Sequence, residues 1–197
     1  MNARRMVPWK PTKAQVCAAR GKTIPDLIAR DLIVLFAGIN PGLYTAAIGR
    51  HFGRPGNRFW PALHGGGFTP RLFSPFEGAL LLDLGFGITN IVARATARAD
   101  ELTDDELRAG GQGLAAKVKR WRPTVVAFVG IHPYRVISGI KDARVGLQGS
   151  RFGGAHAWLL PNPSGINAHY LPADLARCFG ELRRWAVARH RRRRERS

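Results

Sequence analysis

Apolar residues in this chain gather into short unbroken runs, separated by stretches in which they recur every three or four positions. The run LeuIleValLeuPhe (32–36), bounded by Asp31 and Gly38, predicts a strand buried on both faces. ThrValValAlaPheValGly (124–130) and AlaTrpLeuLeuPro (157–161) predict two more, and PheGlyIleThrAsnIleVal (86–92) a further strand or strand-like segment. Between them lie helical patterns. AsnArgPheTrpProAlaLeu (57–63) opens a short helix that Gly65, Gly66 and Gly67 end, and residues 75–82 read as helical. Thr103 and Glu106 form a capping box for a helix from 104 to about 120. Gly110, Gly111 and Gly113 inside that helix are costly, which predicts close packing against it. HisProTyrArgValIle (132–137) starts another helix with Pro133 near its first turn, and 172–190 form an amphipathic final helix. Strands alternating with helices predict an α/β fold, a three-layer α/β/α sandwich around a short, mainly parallel central sheet. Ligands of such folds bind at the carboxyl ends of the strands.

A length of 197 residues suits one domain, expected over 24–188. Residues 1–23 read as a basic arm without periodicity, and 189–197 as an Arg-rich tail. The net charge of +18 is concentrated at these ends. Residues 1–23 carry six Lys/Arg and no acid, residues 183–197 carry eight Arg and only Glu195, and 24–182 hold 17 basic against 12 acidic residues. A basic tail such as Arg191–Arg194 suits attraction to a polyanion, because neutralised phosphates release counterions; a solubilising end without a partner is the alternative. Cys17 and Cys178 are too few for an iron–sulfur cluster and read as free buried thiols. Neither a metal nor a cofactor is expected. No apolar run reaches membrane-spanning length and the first residues lack a secretory pattern, so the expected location is the cytoplasm, nucleoid-associated in a bacterium.

The candidate chemistry lies in loops. GlyIleAsnProGly (38–42) comes directly off the first strand and opens a Gly/Pro-rich loop over 38–57. ProAsnProSerGlyIle (161–166) comes directly off the last strand. Each read alone is a turn; two stiff loops carrying Asn at one sheet edge point to a site. The glycines of the first do not form a dinucleotide-binding fingerprint, and it lacks the Lys of a phosphate-binding loop. ArgHisPheGlyArgProGlyAsnArgPheTrp (50–60) interleaves cations with aromatics, the pairing a nucleic-acid pocket needs for phosphates and base faces.

With these motifs in this order, the chain resembles the mismatch-specific uracil/thymine DNA glycosylases, a branch of the uracil-DNA glycosylase superfamily. GlyIleAsnProGly (38–42) is similar to that family's water-positioning loop, AsnProSerGly (162–165) followed by Ile166 to its DNA-intercalating loop, and 49–60 to its aromatic segment. Residues 86–92 and 106–111 also match family segments, and the resemblance runs from about residue 32 to 185.

The resemblance implies a monomeric, cofactor-free enzyme that flips uracil, with thymine or adducted cytosine as alternative substrates, out of double-stranded DNA at mismatches opposite guanine and cleaves its glycosidic bond. It implies Asn40 as the catalytic residue. An amide is a weak acceptor rather than a strong base, so its part would be to hold a water, sufficient where the transition state is highly dissociative. Ile39, Thr45, His51, Phe52, Asn57 and Asn90 would form the base pocket. Phe52 would stack on the flipped base, with a core Phe as the alternative. Backbone N–H groups near Ile39 and Phe52 would stabilise the departing anion, Asn90 would meet the base edge, and the Thr45 methyl would disfavour thymine. Asn57 reads equally as helix cap and pocket support, and His51 as pocket member or solvent-facing. Ile166 would wedge into the duplex, Gly165 and its neighbours would contact the orphaned guanine, and Ser164 and Asn167 would hold phosphates. The alternatives are a single-strand-selective type of uracil glycosylase, whose second loop differs from Asn162–Ser164, and a non-catalytic basic nucleic-acid-binding domain.

Overall fold

The computed structural model describes residues 8–164 and 170–195. Five strands form one sheet: β1 (Val34–Gly38), β2 (Phe86–Asn90), β3 (Val125–Val129), β4 (Gly146–Phe152) and β5 (Ala155–Leu160). Their spatial order is β2-β1-β3-β5-β4. All neighbours are parallel except β4, which runs antiparallel to β5 along one edge. The fold is the α/β sandwich that the sequence pattern predicts.

The unbroken apolar runs have a direct cause. Side chains of a strand alternate between faces, and both faces of this sheet are covered. Val34 and Phe36 of β1 join Val125, Ala127 and Leu160 in one core. That layer is completed by α3 (Phe59–Gly65), α4 (Leu80–Asp83) and α7 (Pro172–Arg194), through Phe59, Leu63, Leu81, Phe179 and Leu182. Leu35 and Ala37 face the other way with Val126, Phe128 and Leu159. There they meet α5 (Asp104–Trp121) and α6 (Ile131–Ser138), through Leu107, Leu114, Val118 and Tyr134.

The capping box of α5 is formed: Thr103 Oγ1 accepts from Glu106 N at 3.2 Å and Glu106 accepts from Thr103 N at 3.0 Å. Two of its three glycines are close-packed as expected. A Cβ on Gly110 would stand 2.5 Å from the Ile91 carbonyl oxygen, and one on Gly111 would stand 2.6 Å from an Ile137 methyl. Gly113 has nothing within 4 Å.

Other expectations are revised. β4 was not predicted: GlyLeuGlnGlySerArgPhe is an edge strand, mostly exposed, with a register shift between Leu147 and Arg151 that removes any alternation. The loop expected over 38–57 contains a short helix, α2 (Leu43–Ile48), ended by Gly49 in the left-handed conformation at φ 64°. The amino-terminal arm is not free along its described part. It forms α1 (Lys13–Cys17), buries Ala19 completely, and ties Gly21 N to Ala95 O at 2.9 Å. The arginine tail is not a separate segment either: α7 continues through Arg194, and Arg193 bonds Asp31 and the Arg122 carbonyl. Cys178 is buried, but Cys17 is exposed. Among the described residues no helix is long and apolar enough to cross a membrane.

Candidate active site

The carboxyl ends of β1, β2, β3 and β5 open into a cavity of about 370 Å³. Ile39, Asn40, Thr45, Phe52, Asn57, Asn90 and Ser164 all line it, so one site gathers residues that the sequence scatters over 126 positions.

The GlyIleAsnProGly segment leaves β1 and is zipped to the chain beyond β2. Ile91 N bonds Gly38 O at 2.8 Å, Val92 N bonds Ile39 O at 2.9 Å, and Thr96 N bonds Pro41 O at 3.2 Å. On that fixed loop the Asn40 amide has one orientation. Its Nδ2 donates to Arg94 O at 3.0 Å and to Thr96 Oγ1 at 2.7 Å. The Thr96 hydroxyl proton goes to Arg98 O at 2.7 Å, so this oxygen can only accept from Asn40. Both amide hydrogens are committed, which leaves Oδ1 as the open acceptor on a residue lining the cavity. The platform is anchored in turn by Arg94, whose guanidinium grips both oxygens of Glu106 at 2.6 and 2.9 Å. That hydrogen bond, helped by the Thr103 N–H, holds the Glu106 carboxyl down to about 2.

Phe52 takes a left-handed backbone at φ 52°, which costs a non-glycine residue roughly 1–2 kcal/mol. Several contacts hold it there. Trp60 Nε1 donates to His51 O at 3.2 Å, and the Phe52 ring stacks on Phe59 with centroids 3.8 Å apart and planes 14° apart. Phe59 itself meets Phe36 and Phe179 edge-on in the core. Phe52 is thus the last ring of a core-rooted aromatic cluster, with one face on Phe59 and the other available to a ligand. Gly38 makes room for it. A Cβ there would stand 2.7 Å from Asn90 Oδ1 and 3.2 Å from the Phe52 ring, so the motif's first glycine is a packing requirement.

Asn57 Oδ1 accepts from Phe59 N at 2.9 Å at the start of α3, and the residue also lines the cavity. His51 does not join the pocket. Its side chain is 5% exposed and turned inward, with Nε2 3.0 Å from Pro25 O. Burial pushes its pKa below the usual histidine value. A buried neutral imidazole bonded to a carbonyl anchors the loop beneath Phe52 rather than meeting a ligand.

Of the second motif, Asn162 Oδ1 accepts from Ser164 N at 2.9 Å, making a tight turn. Gly165, Ile166 and Asn167 lie outside the described residues. The ends of that segment are held by Arg58, which donates to Ser164 O at 2.8 Å and Tyr170 O at 2.7 Å. Arg58, Arg94 and Thr96 were not singled out from sequence, nor was the wall formed by Ala97–Asp100. The usable signal for the wall was position: an aperiodic stretch directly after a parallel strand.

Comparison with known proteins bears on the family and the fold. The sequence matches the uracil DNA glycosylase superfamily over residues 25–183. The chain belongs to that superfamily. The fold is also similar to the solution NMR structure of a candidate uracil DNA glycosylase from Methanosarcina acetivorans. The TM-score is 0.54 at 16% identity, over 83% of this chain and 98% of that one. At that identity the likeness concerns the fold. Within the superfamily match fall both motif loops, the aromatic segment and the strand ends that form the cavity.

Proposed function

We propose that this chain is a monomeric DNA glycosylase that turns uracil out of mismatches opposite guanine in double-stranded DNA and hydrolyses it from its sugar. The observation that carries the reading is the Asn40 amide, locked by two donated hydrogen bonds so that its carbonyl oxygen is the open acceptor beside the Phe52 ring.

Extruding a nucleotide costs about a few kcal/mol, least when it is mispaired. The flipped base stacks on the open face of Phe52, with its edge at Asn90 and its 5-position towards Thr45. The bond from the sugar C1′ to the base nitrogen breaks and its electron pair leaves with the base. Backbone N–H groups near Ile39 and Phe52 stabilise the anion. Asn40 Oδ1 accepts a hydrogen bond from the water that then adds to the sugar, and the proton released by that addition neutralises the departed base anion. In the second loop, Ile166 fills the vacated space, Gly165 and its neighbours meet the orphaned guanine, and Ser164 and Asn167 hold phosphates.

The test is a G·U duplex incubated with the protein and then treated with alkali. Strand scission at the uracil is expected from wild type and is expected to be lost in Asn40→Ala. No scission by wild type, with duplex binding unchanged in Asn40→Ala, would leave a non-catalytic DNA-binding domain.

A further inference from the structure

The pole opposite the cavity, at the amino ends of β3 and β5, opens into a cleft of about 600 Å³. Lys119 and Arg122 reach it from the end of α5, Arg151 from β4, and Arg189, Arg192 and Arg193 from α7. Among the described residues its lining contains no Asp or Glu. Asp31, at the margin, pairs with Arg193 at 3.0 Å and Arg122 at 3.6 Å. Lys119, Arg151, Arg189 and Arg192 are exposed and make no ion pair among the described residues. On the wall, His156 Nε2 lies 3.3 Å from Arg189 Nε, which positions that guanidinium.

Like charges gathered without carboxylates repel one another, so the arrangement favours an anionic partner. Three elements present the cations around an open cleft, which suits phosphates recurring along a strand better than one small anion. The exposed large apolar side chains, Trp9, Leu72, Leu80, Ile140, Leu147 and Leu171, all lie outside the cleft lining, so it offers no apolar wedge to a bilayer. Guanidinium groups match phosphate oxygens in pairs.

The distance between the poles decides which nucleic acid this is. α7 starts at Pro172, next to the second motif, and ends at Arg194 by the cleft; its 23 residues span about 34 Å. A duplex engaged at the carboxyl pole would have to fold back around the whole domain to reach the cleft, against the stiffness of DNA. We propose that the amino-pole cleft is a second nucleic-acid site, which holds the phosphate backbone of a DNA segment other than the one at the carboxyl pole. The identity of the first segment rests on the glycosylase reading; the cleft is tested apart from it.

The experiment uses the full chain with an immobilised undamaged short duplex and a second, fluorescent duplex in solution. Wild type is expected to bridge the two. Lys119→Gln/Arg192→Gln and, separately, Arg151→Gln/Arg189→Gln are expected to weaken capture of the second duplex about tenfold, with the salt slope lower by roughly one per cation removed. Thermal melts establish that each variant is folded, and the second pair stands in for the first if one is not. Saturation at one duplex per protein would overturn the proposal, as would bridging that survives both double variants, which assigns it to self-association. Capture of phosphatidylserine vesicles that the variants lose, without duplex bridging, would replace DNA with a membrane surface. Bridging without any uracil excision would keep the cleft and remove the glycosylase reading.

Discussion

At its carboxyl pole the sheet offers a ligand four amides, two hydroxyls and one aromatic face, with two arginines at the rim, Arg54 exposed and Arg98 paired to Asp100. At its amino pole it offers six cations, two of them shared with Asp31, and no carboxylate among the described residues of the lining. Neutral groups held in one orientation discriminate between ligands of similar charge, whereas exposed cations attract any polyanion and discriminate little. The same sheet therefore separates selectivity from attraction, and it does so by distance.

The largest effect that would break this comparison is at Asn40. Asn40→Ala is expected to slow single-turnover excision by about 10²-fold or more, since a water displaced by even 1 Å costs that much. Its affinity for undamaged duplex should stay within a factor of about two. An equal loss of affinity would mean that the carboxyl pole works by attraction after all.

Phe52→Ala comes next. It is expected to cost roughly 1–3 kcal/mol in binding a flipped base, the usual worth of a base stacked on an aromatic ring. Titration with a duplex containing an uncleavable uracil analogue would measure it, and an unchanged affinity would return Phe52 to the core. Arg58→Gln should lower excision from duplex several-fold, and from single-stranded uracil substrates less, because it releases the carbonyls that bracket the second loop. Equal losses on both substrates would make Arg58 a general stabiliser of α3.

The smallest expected effect sharpens the comparison through pH. His51, packed near Asp26 and Lys117, has a folded pKa below its ordinary value of 6.5. The unfolded chain therefore takes up a proton that the folded chain refuses, so this part of the stability is present above pH 6.5 and is lost as pH falls below it. His156 and His190 shift in the same direction. His51→Gln, which keeps a donor for Pro25 O, is expected to make the fall in melting temperature between pH 7.5 and 5.5 shallower. A slope identical to wild type would place the whole effect at the other two histidines, which lie at the amino pole.

Much of this organisation was legible before folding. β1, β3 and β5 announce themselves because burial on both faces requires unbroken apolar runs, and the strands lead straight into the loops that bear the chemistry. Phe52 and Asn90 could be placed in one pocket by their resemblance to family segments, and geometry agrees. β4 could not be read, because a bulged edge strand of Gly, Ser and Arg carries no period. Nor could the inward turn of His51, since the acceptor that draws it, Pro25 O, lies 26 residues away. The Arg94–Glu106 clasp was invisible for a related reason: Glu106 already had a complete local explanation as a capping residue, and its second partner comes from a loop.

The wiring of Asn40 has a consequence for how this site can change over generations. Arg94 O can only accept, and the Thr96 hydroxyl has already given its proton to Arg98 O. A carboxylate at position 40 would point an anionic oxygen at the Arg94 carbonyl. The Thr96 hydroxyl could donate to it only by giving up Arg98 O, so this loop disfavours the anion of Asn40→Asp. A second change that frees a donor near residues 94–98 would favour the anion. The choice between amide and carboxylate at residue 40 is therefore coupled to residues 94–98, and the loop facing Asn40 suits the amide.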